Sequence, residues 1–210
     1  MLENITINAH SSIRIADKII VYVDPYRIET EPHDADLILF THSHYDHFSP
    51  EDFWKLAKDD THFVCPGSMK QEALAAGIRP EKLSTLEAEE NLGILGIEIE
   101  GVPAYNLNKD FHPKAKGWLG YVLEIGPHMI YIAGDTDAIE EGKAVRCDIA
   151  LVPIGGTYTM TAEEAADYVN AIRPHTVIPT HYGCIVGSLD DARRFVKHLD
   201  REIEVCLKIE

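Results

Sequence analysis

The feature that most constrains this chain is a dense polar cluster that directly follows an apolar run. The run from Leu37 to Thr41 suits a buried strand, and the next six residues include His42, His44, Asp46 and His47. Such side chains need partners when they are buried, and metal ions can satisfy all of them at once. In an extended segment, residues two apart point to the same side, so the first two histidines can bind one ion while the following turn brings the aspartate and third histidine toward a second. A solvated polar loop would explain one histidine but not this spacing, so the sequence predicts a metal site.

Two further candidate ligands follow predicted strands in the second half of the chain. Asp135 comes just after a strand that ends at Ala133, and His181 follows a short strand that begins at Thr176. Catalytic side chains are often carried on such loops, because the sheet fixes where each loop starts. Taken alone, either residue could belong to an ordinary turn. Together with the histidine cluster, both become candidate metal ligands.

Length and composition predict one folded domain that spans residues 1–210. Hydrophobic residues make up 45% of the 210 residues and charged residues 26%, which is ordinary for globular proteins and excludes a disordered or fibrous chain. The formal net charge of -16 argues against a nucleic-acid partner bound through a general basic surface, and against docking on anionic lipid. We therefore expect a small-molecule substrate, with no membrane partner. A homo-oligomer is left open.

The expected location is the cytoplasm, in a chain without disulfides. No apolar run has the length that a bilayer requires, and the residues after Met1 lack the basic region and apolar core of a signal peptide. The four cysteines are widely spaced and form no CxxC pair, so neither a disulfide framework nor a thiolate zinc site is expected.

Hydrophobic periodicity predicts two strand-rich halves, each followed by helices, and therefore an α/β fold in which two sheets pack together with helices outside. Strands are expected at Ile5 to Asn8, Ser12 to Ala16, Lys18 to Val23, Leu37 to Thr41, Ile94 to Pro103, Gly120 to Ile125, His128 to Ala133, Ile149 to Pro153, Thr176 to Pro179 and Glu202 to Ile209. Helices are expected from Ser49 to about Lys58, from a capping box of Ser68 with Gln71 to Gly77, after a capping box of Thr161 with Glu164, and from Leu189 to Leu199.

Several motifs together resemble the metallo-β-lactamase-fold hydrolases, and more narrowly the branch that holds the L-ascorbate-6-phosphate lactonases. In family order they are His10-Ser11-Ser12, Asp24-Pro25, His42 to His47, Gly134 to Asp137, Gly155 to Met160 and Pro179 to Gly183. The resemblance covers nearly the whole chain. It implies an αββα sandwich of two mixed β-sheets with helices on the outer faces, and a binuclear metal site.

The resemblance also implies roles for individual residues. His42 and His44 would bind the first metal, while Asp46, His47 and His181 would bind the second. Asp135 would bridge both metals. Asp24 would support the site from behind by orienting a ligand imidazole, although an aspartate before proline is also a common turn residue.

One position departs from the family pattern. The family commonly has a third histidine for the first metal at the end of a central strand, where this chain has Asn106. His112, a few residues later, could fold back to take its place, or it could be a surface histidine beside a weakened site. His10 is a further candidate for the pocket lining, with a polar turn as its alternative.

The predicted chemistry is hydrolysis by a metal-bound hydroxide, because a divalent metal lowers the pKa of bound water from ~16 to ~7. Asp46 and Asp135 are the candidate catalytic residues: both would place the hydroxide, and Asp46 could also transfer its proton to the leaving group. Imidazole and carboxylate ligands favour two divalent ions, with zinc expected first and manganese, iron or nickel open.

A small ester, lactone or phosphoester is the expected substrate. Lys109, Lys114 and Lys116 lie together in an otherwise acidic protein, and they could bind an anionic group of the substrate or simply be solvated. Two other functions stay open, a ribonuclease or phosphodiesterase of the same fold and a degenerate member that binds a metal or ligand without catalysis.

Overall fold

A computed structural model of the protein describes residues 1–209, and the contacts divide the chain into two compact units, Met1–Glu87 and Ala88–Glu210. Each unit contains one mixed β-sheet with helices, which confirms the predicted α/β fold class of two mixed sheets. The prediction that residues 1–210 form one domain stays a prediction.

The first unit is built on a six-stranded sheet in which the strands follow one another in chain order. Its strands are β1 (Ile5–Ala9), β2 (Ser12–Ala16), β3 (Ile20–Val23), β4 (Ala35–Leu39), β5 (Ala57–Pro66) and β6 (Leu83–Leu86). Its helices are α1 (Pro50–Leu56) and α2 (Lys70–Ala75), with short 3-10 turns at Leu2–Asn4, Gly67–Met69 and Pro80–Lys82. The first three strands are antiparallel, and β3 to β6 are parallel.

The parallel part of this sheet explains why the first group of polar residues comes together. Val21 pairs with Leu37 and Val23 with Leu39, so β3 and β4 end at the same edge. The apolar side chains of β4 are fully buried, which fixes its register, and Leu39 accepts a hydrogen bond from the Asp24 amide at 3.0 Å. The loops after the two strands therefore start side by side.

The second unit is built on a seven-stranded sheet in which the order along the sheet is β13 to β7. Its strands are β7 (Asn91–Ile94), β8 (Ile97–Pro103), β9 (Leu119–Ile125), β10 (His128–Ile132), β11 (Ile149–Pro153), β12 (Thr176–Thr180) and β13 (Glu204–Val205). Its helices are α3 (Glu140–Lys143), α4 (Ala162–Ile172) and α5 (Leu189–His198), with a 3-10 turn at Lys114–Lys116. β7 to β10 are antiparallel, and β10 to β13 are parallel.

Helix α4 begins and packs as its sequence predicts. The Thr161 hydroxyl accepts a hydrogen bond from the Glu164 amide, and the Glu164 carboxylate accepts one from the Thr161 amide, which completes the capping box. The predicted apolar face is buried in the core of the second unit, and it consists of Ala162, Ala165, Ala166, Val169 and Ile172.

Two predictions in the first unit were wrong. The first helix ends at Leu56 rather than near Lys58, because strand β5 begins at Ala57. Ser68 does not cap the second helix, since it lies inside a 3-10 turn and Met69 occupies the cap position. A cap pattern in the sequence does not exclude a tighter turn in front of the helix.

Two predictions in the second unit were wrong in extent. The predicted strand from Ile94 to Pro103 is broken into a hairpin, because Leu95 and Gly96 adopt left-handed backbone angles, with φ of 52° and 81°. The final strand covers only Glu204–Val205 rather than Glu202 to Ile209, since it pairs with β12 at Thr176 and Val177 alone.

Among residues 1–209, no helix is long and apolar enough to cross a bilayer. The four cysteines are free thiols, as predicted. Burial raises the pKa of Cys65 and of Cys147 to about 12.

Candidate metal centre

Asp24 is the hub of the polar cluster in the first unit. Its side chain is buried directly after β3 and accepts three hydrogen bonds. The Thr41 amide donates to Oδ1 at 2.8 Å, the Thr41 hydroxyl donates to Oδ2 at 2.6 Å, and His47 Nδ1 lies 2.8 Å from Oδ2. Burial raises the pKa of this carboxyl, and the bonds from His47 and Thr41 oppose that rise. Asp24 is therefore bonded to the imidazole of His47, and its role as the support of a metal ligand stays a prediction.

The loop after β4 brings the predicted ligands together. His42 Nδ1 lies 3.0 Å from the Thr41 hydroxyl, and His42 Nε2 lies 3.1 Å from His44 Nδ1. The rings of His42 and His47 are 3.9 Å apart, and ligand atoms of Asp24, His42 and His47 fall within 4.8 Å of one another. The turn brings Asp46 Oδ2 to 3.5 Å from His47 Nε2. A run of six residues thus supplies three imidazoles and a carboxylate to one place.

His10 also belongs to this cluster. Its side chain is fully buried, and Nε2 lies 3.5 Å from Asp46 Oδ2. The backbone of His10 adopts a left-handed angle, with φ of 56°, and Asp24 does the same with φ of 48°. Non-glycine residues in this conformation are uncommon and collect at functional sites. His10 lies in the turn between β1 and β2, which agrees with the alternative of a polar turn, and its side chain is buried in that turn.

Three loops of the second unit converge on Asp135, which directly follows β10 in a turn that Gly134 allows with φ of 64°. Asp135 Oδ2 lies 3.3 Å from His112 Nε2 and 3.0 Å from His181 Nε2. All three side chains are buried. The structure therefore brings His112 back to the predicted ligands rather than leaving it on the surface.

Asn106 contacts His112 instead of pointing toward Asp135 as a ligand would. Its Oδ1 lies 3.0 Å from both the amide nitrogen and Nδ1 of His112. The backbone N–H of Asn106 donates in turn to the His112 carbonyl at 2.8 Å. Where the family commonly places a ligand histidine, this chain has the residue that holds His112.

Asp137 is a site residue that the sequence did not reveal. Its buried carboxylate accepts a hydrogen bond from the Leu107 amide at 2.9 Å and forms an ion pair with Lys109. Its own amide donates to the Tyr105 carbonyl at 3.0 Å. Asp137 therefore anchors the loop that carries His112. The only signal in the sequence was its place two residues after Asp135.

The lysines of this loop are mostly engaged with acids. Lys109 pairs with Asp137, and Lys114 Nζ lies 2.8 Å from Glu141 and over the ring of Tyr105. Lys116 lies over the ring of Trp118, at 5.7 Å. Two of the three lysines that could bind an anion are thus balanced by carboxylates.

The donor atoms suit divalent transition metals. Both clusters offer imidazole nitrogens and carboxylate oxygens from side chains that are buried except for the half-buried His44, and none of these donors is a thiolate. Buried groups of this kind are costly without a cation. The residues present therefore fit a metal site, whereas the assignment of each ligand to a particular metal stays a prediction.

Comparison with known proteins agrees with this chemistry. The family model of the beta-lactamase superfamily domain matches residues 4–181. The UPF0173 metal-dependent hydrolase of Thermoplasma acidophilum is 32% identical over 92% of this chain and 90% of its own length. The crystal structure of a protein assigned as a metal-dependent hydrolase, from Parabacteroides distasonis, has a TM-score of 0.81 and 28% identity, and the match covers 98% of this chain and 93% of that one.

A further solved structure supports the fold alone. Igni18, a metallo hydrolase from Ignicoccus hospitalis, has a TM-score of 0.78 and 21% identity, with 97% of this chain and 93% of that one covered. The family match and the Thermoplasma relative carry the assignment. The chain belongs to the UPF0173 metal-dependent hydrolases of the metallo-β-lactamase superfamily.

Proposed function

We propose that this metal-dependent hydrolase works with two divalent metal ions and cleaves a small ester, lactone or phosphoester. The observation that carries the proposal is that each unit has its own buried group of imidazoles around a carboxylate, at Asp24 and Asp46 in one unit and at Asp135 in the other. Counted together, these imidazoles and carboxylates offer more donor atoms than one tetrahedral ion needs.

The proposed ligands follow the family pattern. His42, His44 and His112 hold one ion, Asp46, His47 and His181 hold the other, and Asp135 is shared. Bound ions of this kind supply hydroxide from water near neutral pH and polarise a substrate oxygen.

Asp46 is the residue proposed to move a proton. Its Oδ2 lies 3.5 Å from the Nε2 atoms of both His10 and His47, which places the carboxylate beside the imidazoles of the same cluster. From there Oδ2 takes a proton from the attacking water and returns it to the leaving group. Asp24 acts indirectly, by orienting the imidazole of His47 through a hydrogen bond.

The substrate is proposed to be small and anionic. The net charge of -16 disfavours a polyanionic strand, and Lys116 is the loop lysine left to meet an anionic group, since Lys109 and Lys114 form ion pairs. Lactones of the ascorbate-6-phosphate type fit this description and remain the narrower proposal.

Metal analysis and an activity screen test the proposal together. Purified protein, reconstituted separately with Zn²⁺, Mn²⁺, Fe²⁺ and Ni²⁺, should carry close to two ions per chain and hydrolyse at least one of a set of phosphorylated lactones, carboxylic esters and phosphodiesters. His42→Ala should lose metal and activity, and His128→Ala, at the start of β10, is the matched control. One ion per chain in fully active protein would refute the binuclear proposal. Cleavage of RNA alone, at low salt, would favour the ribonuclease alternative.

A further inference from the structure

The side-chain amide of Asn106 is bonded to backbone groups whose polarity is not in doubt. Its Oδ1 lies 3.0 Å from the amide nitrogen of His112, which can only donate. Its Nδ2 lies 3.0 Å from the carbonyl oxygen of Tyr158, which can only accept. These two contacts fix which end of the amide is oxygen and which is nitrogen.

The orientation of the amide then decides the state of the neighbouring imidazole. Because Oδ1 of Asn106 has no hydrogen, the contact of 3.0 Å with His112 Nδ1 is a hydrogen bond only if Nδ1 carries the proton. In a neutral imidazole the lone pair is then on Nε2, the nitrogen that lies 3.3 Å from Asp135 Oδ2. The backbone N–H of Asn106 also donates a hydrogen bond to the His112 carbonyl, which closes the loop between the two residues and fixes their relative position.

We propose that Asn106 is a positioning residue that locks His112 in the Nδ1-protonated tautomer and thereby presents Nε2 as a metal ligand. This inference rests on the proposed function for the identity of the ligand, but not for the tautomer. Asn106 does what a carboxylate or carbonyl behind a metal-binding histidine usually does. The chain therefore compensates for its missing family histidine with two residues: His112 binds the metal, and Asn106 orients the imidazole of His112.

The contact from Asn106 to Tyr158 adds a second consequence. Tyr158 lies in the loop from Gly155 to Met160, and its ring packs at right angles against Phe111, next to His112, with 4.7 Å between ring centres. The amide thus joins the His112 loop to this second loop through one hydrogen bond. An oxygen at position 106 is needed for the tautomer, whereas a nitrogen is needed only for the link between loops.

The two functions of the amide can be separated by substitution. Asn106→Asp keeps an acceptor for His112 and removes the donor to Tyr158, while Asn106→Leu removes both. Asn170→Leu is the matched control, because the side chain of Asn170 also bridges backbone groups, at His198 and Asp200, and lies on helix α4.

The first experiment reads the tautomer in the metal-free protein by long-range ¹H–¹⁵N NMR of the histidine side chains, above the pH at which imidazoles titrate. We expect the Nδ1-protonated form for His112 in the wild type, in Asn106→Asp and in Asn170→Leu, and a shift toward the Nε2-protonated form in Asn106→Leu. An Nε2-protonated His112 in the wild type would overturn the proposal, whether or not any variant folds.

The second experiment measures Zn²⁺ affinity by competition with a chelator. Asn106→Leu should weaken one of the ions by about 10–100-fold, as the loss of other outer partners of metal ligands does, and Asn106→Asp should restore most of that affinity. If the wild type and Asn106→Leu bound Zn²⁺ equally well while the NMR showed the expected tautomers, the control of the tautomer by Asn106 would stand. His112 would then be removed from the proposed metal ligands. Loss of affinity in Asn106→Asp as severe as in Asn106→Leu would overturn the positioning role of the oxygen.

Discussion

The two polar clusters are assembled in opposite ways. In the first unit, four of the predicted ligands come from one run of six residues after β4, and Asp24 supports that run from the end of the neighbouring strand. In the second unit, His112, Asp135 and His181 come from three loops, after β8, β10 and β12. We call the first the local cluster, because its residues are close together in the sequence. We call the second the dispersed cluster, because its residues come together only when the sheet is formed.

This difference assigns different supporting residues to each cluster. The local cluster depends mainly on one carboxylate, which accepts three hydrogen bonds. The dispersed cluster depends on contacts between loops, such as those of Asn106 with His112 and of Asp137 with the loop it anchors. We therefore expect substitutions in the second unit to act through several loops at once.

The largest effect is expected at Asp135, because both imidazoles of the dispersed cluster converge on it. Asp135→Ala should reduce hydrolysis to the rate without protein and lower the metal content. Asp167→Ala, on helix α4, is the control for the loss of one negative charge. Activity near that of the wild type in Asp135→Ala would show that the dispersed cluster is not part of the catalytic site.

A smaller effect is expected at Asp24, the support of the local cluster. In Asp24→Asn the side-chain oxygen can still accept a hydrogen bond, but the NH2 group must face a partner that donates to the carboxylate in the wild type. We therefore expect metal affinity to fall by about 10–100-fold in a chelator competition. Asp34→Asn is matched in charge and lies in the same unit, where Asp34 pairs with Arg14 at 3.1 Å. If both variants bound metal equally well, the orienting role of Asp24 would be refuted.

Gly155 tests the dispersed cluster through backbone packing alone. A Cβ atom at this position would lie 2.1 Å from the carbonyl oxygen of His181, so Gly155→Ala must displace that backbone. We expect the free energy of unfolding to fall by about 1–3 kcal/mol, with a loss of metal affinity as well. Gly93→Ala is the control, since its new Cβ would meet only the flexible end of Glu98. A Gly155→Ala protein with wild-type stability would contradict the close packing of these loops.

The smallest effects are expected among the loop lysines. Lys109→Ala and Lys114→Ala remove charges that already face Asp137 and Glu141, so KM for an anionic substrate should change by less than about fivefold, which corresponds to about 1 kcal/mol. Lys116→Ala should raise that KM more than either. Equal KM values for all three variants and the wild type, on several anionic substrates, would refute anion binding by this loop.

The sequence predicted the local cluster better than the dispersed one, for a physical reason. The alternation and turn of residues 42–47 can be derived from strand geometry, and the burial of β4 is visible in its composition. No local rule brings residue 112 to residue 135, because that contact depends on the pairing of β8, β9 and β10. The role of Asp137 was missed for the same reason, since its partners are a lysine and an amide some thirty residues earlier.

Errors in the fold predictions have a similar origin. The first half of strand β5 contains the polar residues from Lys58 to Thr61, so its pairing with β4 was hidden by composition. The hairpin at Leu95 and Gly96 interrupts a continuous apolar pattern, and only the backbone angles reveal it. Helix α4 was predicted correctly because its cap and its apolar face both lie within one segment.

The left-handed backbone angles at the two clusters connect stability with function. His10, Asp24 and His181 have φ of 56°, 48° and 58°, a conformation that glycine adopts at lower cost than any of them. Glycine at these three positions would relieve the backbone conformation, but it would also remove three buried side chains of the proposed site, among them the carboxylate of Asp24 with its three hydrogen bonds. At these positions the backbone conformation and the proposed chemistry therefore make opposite demands on the choice of residue, and selection for backbone stability alone would act against the proposed metal centre.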